Sequence, residues 1–132
     1  MVSDRVGDFI IRLQNAAMIN KRDVATPYSA HLEAIARTLK ELGYLDSVEI
    51  KEKDGVKRLL AVELSFDGKD QAKLHGVKRI STPGRRLYAP HTKANRVKAG
   101  AGARVFSTSV GILSDAQVRK QRVGGEALFE IW

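Results

Sequence analysis

The chain has 132 residues, 23 Lys and Arg against 15 Asp and Glu, and no cysteine, for a net charge of +8 with its three histidines neutral. A length of this order makes one small domain or two very small ones, and 43% apolar with 29% charged residues describes a globular chain rather than a disordered one. The missing cysteines exclude a disulfide framework, thiol chemistry and a cysteine-based zinc site.

The first helix is expected to be capped by Ser3 and to end near Met18. Val6, Phe9, Ile10, Leu13 and Ala17 recur at three-and-four spacing, and Asp4 and Asp8 lie where the helix dipole favours anions. Its apolar run Phe9-Ile10-Ile11 is broken at once by Arg12, which leaves neither a signal-peptide core nor a membrane span and implies a soluble protein of a reducing compartment. Val24 to Pro27 reads as a short extended piece. Ser29 then caps a second helix with Leu32, Ile35, Ala36 and Leu39 inward, stopped by Gly43. Strands over Val48 to Lys53 and Lys57 to Phe66 follow, joined by a turn at Asp54-Gly55. Residues 1–66 thus form a helix-strand-helix-strand-strand layer, and the polar stretch 67–70 reads as a linker.

Residues 71–132 change style toward a mostly antiparallel β domain with short helices, so that the whole is an α+β chain of two small domains. Lys73 to Ile80 reads as a strand, Thr82-Pro83-Gly84 as a turn in which Gly84 supplies a positive φ, and Arg86 to Tyr88 as a returning strand. A short basic helix over Thr92 to Lys98 leads into the turn Gly100-Ala101-Gly102. Arg104 to Phe106 is a strand, Ser114 and Gln117 make a capping box for a helix ending in Arg119-Lys120, and Ala127 to Trp132 is a final strand after Gly124-Gly125.

The charge is not spread evenly. Residues 71–122 hold twelve lysines and arginines and a single carboxylate, Asp115, whereas residues 1–70 are almost neutral. With a pI near 10, this calls for a polyanionic partner, either nucleic acid or an acidic membrane surface. A basic face kept for solubility is the competing explanation, but solvated surfaces normally mix signs.

Ser107-Thr108-Ser109-Val110-Gly111 is the densest hydroxyl cluster. Short hydroxyls can address base edges and ribose hydroxyls, and glycine admits a sugar–phosphate surface; the alternative is a turn that satisfies its own amides. A nucleophile elbow is excluded because Ser107 stands where its first glycine belongs. Gly100-Ala101-Gly102 fails as a dinucleotide fingerprint, since Val105 replaces the third glycine. His31, His75 and His91 lie far apart without carboxylates at ligand spacing, and no carboxylate pair offers a general acid and base. No metal or cofactor is therefore expected. Lys78-Arg79-Ile80-Ser81-Thr82-Pro83-Gly84-Arg85-Arg86 joins a rigid turn to four cations, with Tyr88 offering a face for stacking. Glu126 can accept from a nucleobase amino group or orient an arginine. Few aromatics, with none in an RNP-type strand, favour a folded, helical RNA over a stacked single strand.

Three separated stretches then resemble one family, bacterial-type ribosomal protein S8 of the small subunit, over essentially the whole length. They are Asp4, Asp8, Arg12 and Asn15-Ala16; the segment from Lys78 to Arg86; and Ser107-Thr108-Ser109-x-Gly111 followed by Arg119-Lys120, Val123-Gly124-Gly125-Glu126 and a terminal Trp132. The resemblance implies a two-domain α+β protein without enzymatic activity that binds the central domain of small-subunit rRNA on ribosomes of the cytoplasm or an organelle. It also implies an N-terminal half near other ribosomal proteins and, in some members, repression of the protein's own operon mRNA. Carried over residue by residue, Ser107, Thr108 and Ser109 contact bases and sugars. Gly111, Gly124 and Gly125 permit close approach, and Glu126 fixes the loop. Lys78, Arg79 and Arg86 contact phosphate, Tyr88 offers a stacking face, and Arg12 with Asn15 makes a second, weaker site. Val110 stands where members often have a polar or basic residue, and Gln14 where a second arginine is common, each removing one RNA contact. The competing functions are a free-standing mRNA repressor and a small enzyme acting on RNA or nucleotides.

Overall fold

The computed structural model describes residues 4–68, 70–90, 92 and 102–132. The chain divides into two compact units, Asp8–His75 and Gly76–Trp132, the latter joined by the described part of Met1–Gly7.

The first unit holds most of α1 (Arg5–Met18), then β1 (Asp23–Pro27), α2 (Ala30–Glu41), β2 (Leu45–Lys53) and β3 (Val56–Leu64). The three strands form one antiparallel sheet in the order β1-β3-β2. Its inward rows are Val24, Val62 and Val48, then Thr26, Leu60 and Ile50, and the core is completed by Phe9, Ile10 and Leu13 of α1 and Leu32, Ile35 and Leu39 of α2. The three-and-four spacing therefore marks the buried helix faces, except that in α1 Ala16 is buried while Val6 and Ala17 are half-buried. Ser29 caps α2 through the Leu32 amide, and Gly43 follows the C-cap with φ +92°. Asp54 and Gly55 both have positive φ, the backbone of a two-residue type I′ hairpin. The cap of α1 differs from the expectation, in which Ser3, outside the described residues, held that place: Asp4 accepts from the Gly7 amide at 3.0 Å.

Two further expectations need correction here. The stretch 67–70 is not a linker between units, because the chain turns back on itself there. Phe66 bridges Ala72, the Asp67 amide donates to the Gln71 carbonyl, and the Lys73 amide donates to the Ser65 carbonyl. Ala72 and Leu74 are buried, so the first unit continues to His75. The strand expected over Lys73 to Ile80 consequently shrinks to β4 (Val77–Arg79).

The second unit is built round β8 (Gly125–Ile131), which takes β4 and β5 (Tyr88–Ala89) on one side and β6 (Ala103–Thr108) on the other, with β7 (Gly111–Ser114) beyond β6. All these pairings are antiparallel. Strand β7 was not foreseen, since four residues running directly into a capped helix offer too short a pattern to read. Ser114 then begins α3 (Asp115–Gln121) with the expected capping box. Phe106, Leu113, Val118 and Ala127 form a core under Ile80, Ala89 and Val123. The turn at Pro83-Gly84 is present, closed by reciprocal Thr82 and Arg85 backbone bonds, but Gly84 is absent from the glycines with positive φ, so the turn does not use the freedom expected of it. The basic helix expected over Thr92 to Lys98 and the turn Gly100-Ala101-Gly102 lie outside the described residues, Thr92 and Gly102 apart. Among the described residues no helix is long and apolar enough to cross a membrane.

Candidate nucleic-acid interface

Sheet register gathers most of the singled-out residues at one end of β8. Tyr88, Glu126, Ser107 and Ile112 stand opposite one another across β5, β8, β6 and β7; Ala89, Gly125, Thr108 and Gly111 form the next row. Beyond that row Ser109 and Val110 make the two-residue tip of the β6–β7 hairpin. The Thr108 hydroxyl is spent on this turn, donating to the Gly111 carbonyl at 2.7 Å and accepting from the Val110 amide at 3.2 Å. The Ser107 and Ser109 hydroxyls take no hydrogen bond among the described residues, and Ser109 is exposed. One hydroxyl of the cluster thus builds the turn, while Ser107 is half-buried and Ser109 exposed at the tip.

The glycines have an internal reason to be there. A Cβ on Gly125 would overlap the Ser107 carbonyl oxygen, and one on Gly124 would lie 2.8 Å from the Ala89 carbonyl oxygen and 2.9 Å from Pro90 Cα. They let β5, β8 and the end of β6 close together. Gly111 has φ +124°, which a residue with a side chain rarely adopts.

Arg86 and Glu126 belong to one polar group. The Arg86 guanidinium meets Glu126 Oε2 at 3.1 Å, and the same oxygen accepts from the Ser81 hydroxyl at 2.5 Å. Tyr88 stands beside them on β5 with 73% of its surface exposed. Lys78 and Arg79 lie near the other end of β8, opposite Glu130 and Phe129, about four residues or roughly 13 Å along the strand from Glu126. Lys78 is exposed, but Arg79 is committed inside the fold, its Nε to the Ser81 carbonyl and its Nη1 to Asp4 at 2.8–2.9 Å. Desolvation pushes the Asp4 carboxyl upward, but hydrogen bonds from the Gly7 amide and Arg79, with the positive field of Arg79 and Arg86, outweigh it and hold the pKa below the usual carboxylate range.

Charge bookkeeping in this unit decides which cations are left over. Each of its carboxylates between Gly76 and Trp132 is matched by an arginine: Asp115 by Arg119, Glu126 by Arg86 and Glu130 by Arg104. Asp115 is buried and also accepts from the Arg104 amide. Lys78, Arg85, Lys120 and Arg122 are exposed and have no carboxylate partner among the described residues. Arg85 is one of the four cations of the Lys78 to Arg86 turn but not among the phosphate contacts that the resemblance implies; no local pattern distinguishes a tethered arginine such as Arg79 from a free one.

Arg12 and Asn15 are not part of this cluster. They lie on α1 in the first unit, where Arg12 pairs with Asp8 at 2.9 Å and donates to the Ala25 carbonyl at 3.1 Å. With Ile19 and Lys21 they line a shallow hollow. Among the described residues no group of His, Asp and Glu could hold a metal ion.

An α+β chain whose second unit matches Asp115, Glu126 and Glu130 internally and leaves exposed lysines and arginines without a carboxylate partner among the described residues has the make-up of an RNA-binding protein. The family model described as ribosomal protein S8 matches residues 4–132. Small ribosomal subunit protein uS8 of Coprothermobacter proteolyticus is 39% identical over 133 residues, covering the full length of both chains. The uS8 of Sorangium cellulosum is 36% identical over 132 residues, again at full coverage, and that of Salinispora arenicola 40% identical over 133 residues, with 99% of this chain and 98% of the relative covered. The chain belongs to the ribosomal protein S8 family: it is a structural, RNA-binding protein of the small ribosomal subunit and not an enzyme.

Proposed function

We propose that the chain is a primary rRNA-binding protein that grips an irregular helix in the central domain of small-subunit rRNA and supports assembly of the subunit on cytoplasmic ribosomes. The observation that carries this reading is the register of β5, β8, β6 and β7, which sets Tyr88, Glu126 and Ser107 in one row and leads to the exposed Ser109 at the hairpin tip. An irregular helix offers such a row unpaired or splayed bases, which a regular A-form helix keeps paired and stacked, while the ribose hydroxyls line the minor groove of either. Ser107 and Ser109 address bases and sugars, Tyr88 supplies a stacking face, and Arg86 with the unpartnered Lys78 and Arg85 takes phosphate. Arg79 and Thr108 serve the fold of the site, and Gly124 and Gly125 its packing. Arg12 and Asn15 form a second rRNA contact in the first unit, which otherwise meets neighbouring ribosomal proteins. The protein's own operon mRNA is a further ligand of the same face when it reproduces the rRNA site.

Chemical footprinting of small-subunit rRNA with the purified chain tests this directly. Protection is expected at one irregular helix of the central domain and is lost in Ser107→Ala/Ser109→Ala. Protection spread evenly along the rRNA, or unchanged in the double variant, would refute recognition by this row.

A further inference from the structure

We infer that Ser81 is a positioning residue for the RNA-facing row, acting through Glu126 on Arg86; this rests on the reading just given. Ser81 is wholly buried, so its hydroxyl cannot touch RNA. Nor does it anchor the strand, because the Ile80 and Ser81 amides already donate to the Leu128 carbonyl. The hydroxyl instead joins two things that bear on the surface. It accepts from the Leu87 amide at 3.2 Å and donates to Glu126 Oε2 at 2.5 Å.

Leu87 lies between Arg86 and Tyr88, the two outward side chains of this segment, so the first bond fixes the backbone that carries both. The second aims the Glu126 carboxylate, whose Oε2 also takes the Arg86 guanidinium at 3.1 Å. The result is a continuous chain from the Leu87 amide through Ser81 and Glu126 to Arg86. It ends on a side chain that is 50% exposed and, without that carboxylate, free to sample many rotamers. A guanidinium held by one edge keeps its remaining N–H groups in a fixed fork, the geometry that bidentate phosphate contact needs. Glu126 also offsets part of its own repulsion of phosphate by holding Arg86 beside it. Without the Ser81 hydroxyl, the Leu87 amide and Glu126 each lose a partner and the fork loses its aim.

The test is a double-mutant cycle in RNA affinity, read by gel shift with a transcript of the central domain of small-subunit rRNA at several salt concentrations. Ser81→Ala and Arg86→Gln are each expected to weaken binding about three- to tenfold and to lower the slope of log affinity against log salt by about one phosphate contact. The double variant should be no weaker than Arg86→Gln alone, whereas Ser81→Ala with Ser109→Ala should multiply. A merely structural Ser81 would loosen both partners alike and leave the slope unchanged. Wild-type affinity and slope in Ser81→Ala, or multiplication with Arg86→Gln, would overturn the inference while leaving the RNA face in place. Should Ser81→Ala fail to melt cooperatively, Ser81→Cys, close in volume but a weak donor, is judged by the same criteria. If neither Arg86→Gln nor Ser109→Ala changes affinity, the RNA face itself is wrong and the inference falls with it.

Discussion

Gly125→Ala is expected to destabilise the protein in the absence of any RNA. The added methyl would lie inside contact distance of the Ser107 carbonyl oxygen and 3.0 Å from both the Ser107 carbonyl carbon and Thr108 Cγ2. Carbon atoms prefer about 3.5–4.0 Å and the oxygen contact is the tighter one, so the end of β6 must retreat from β8 by about 1 Å to make room. A retreat of that size carries a backbone hydrogen bond from about 2.9 Å toward the edge of what still counts as one. It acts where Ser107 faces Glu126 and Thr108 faces Gly125. One or two weakened bonds at about 1 kcal/mol each, with residual overpacking, give about 2–3 kcal/mol. For a cooperative unit of this size that lowers the melting temperature by about 10–20 °C. Thermal unfolding followed by circular dichroism on the free chain measures it. A wild-type melt accompanied by weakened RNA binding would show that Gly125 is there to admit RNA and that the packing argument is wrong. Gly124→Ala, whose methyl meets Ala89 and Pro90 at slightly longer distances, should act in the same direction with a smaller drop.

Ser109→Ala should weaken binding to central-domain rRNA by about 1–3 kcal/mol, the cost of one lost contact in a polar interface, without moving the melt; unchanged affinity in a gel-shift titration removes the residue from the interface. Lys78→Gln should lower the salt slope by about one contact and spare stability, whereas Arg79→Gln, which breaks the tie to Asp4 and Ser81, should lower the melting temperature with the slope intact. The reverse pattern would mean that Arg79 and not Lys78 meets phosphate. Asp4 has a folded pKa below its unfolded value of about 3.9. Its contribution is therefore complete above that pH and is lost as pH falls through the folded value. Asp4→Asn keeps a capping oxygen but loses the charge, so denaturant midpoints of the two chains should differ at pH 7 and converge as the pH falls below the usual carboxylate range and Asp4 protonates in the folded chain. A constant difference down to acid pH would assign the effect to the cap rather than to the ion pair with Arg79.

The residues alone determined a large part of this. Helical spacing and the Ser29 and Ser114 caps placed both longer helices and the start of α3, because each depends on interactions within one or two turns of the chain. Asp54-Gly55 placed its hairpin for the same local reason. The near absence of carboxylates from residues 71–122 located the basic segment, and the hydroxyl and glycine motifs carried the family resemblance. Tertiary structure decided matters that depend on which distant groups meet. Residues 67–75 join the first unit because Phe66, Ala72 and Lys73 return to it, although their composition reads as a boundary. Strand register, which no local pattern records, brings Tyr88, Glu126 and Ser107 together from three separate strands. Pairing across the fold separates Arg79, held by Asp4 at a sequence distance of 75 residues, from Arg85, which has no carboxylate partner among the described residues. The amount of charge was legible in the chain because charge is a property of each residue. Which charges remain for RNA was not, because that is a property of pairs.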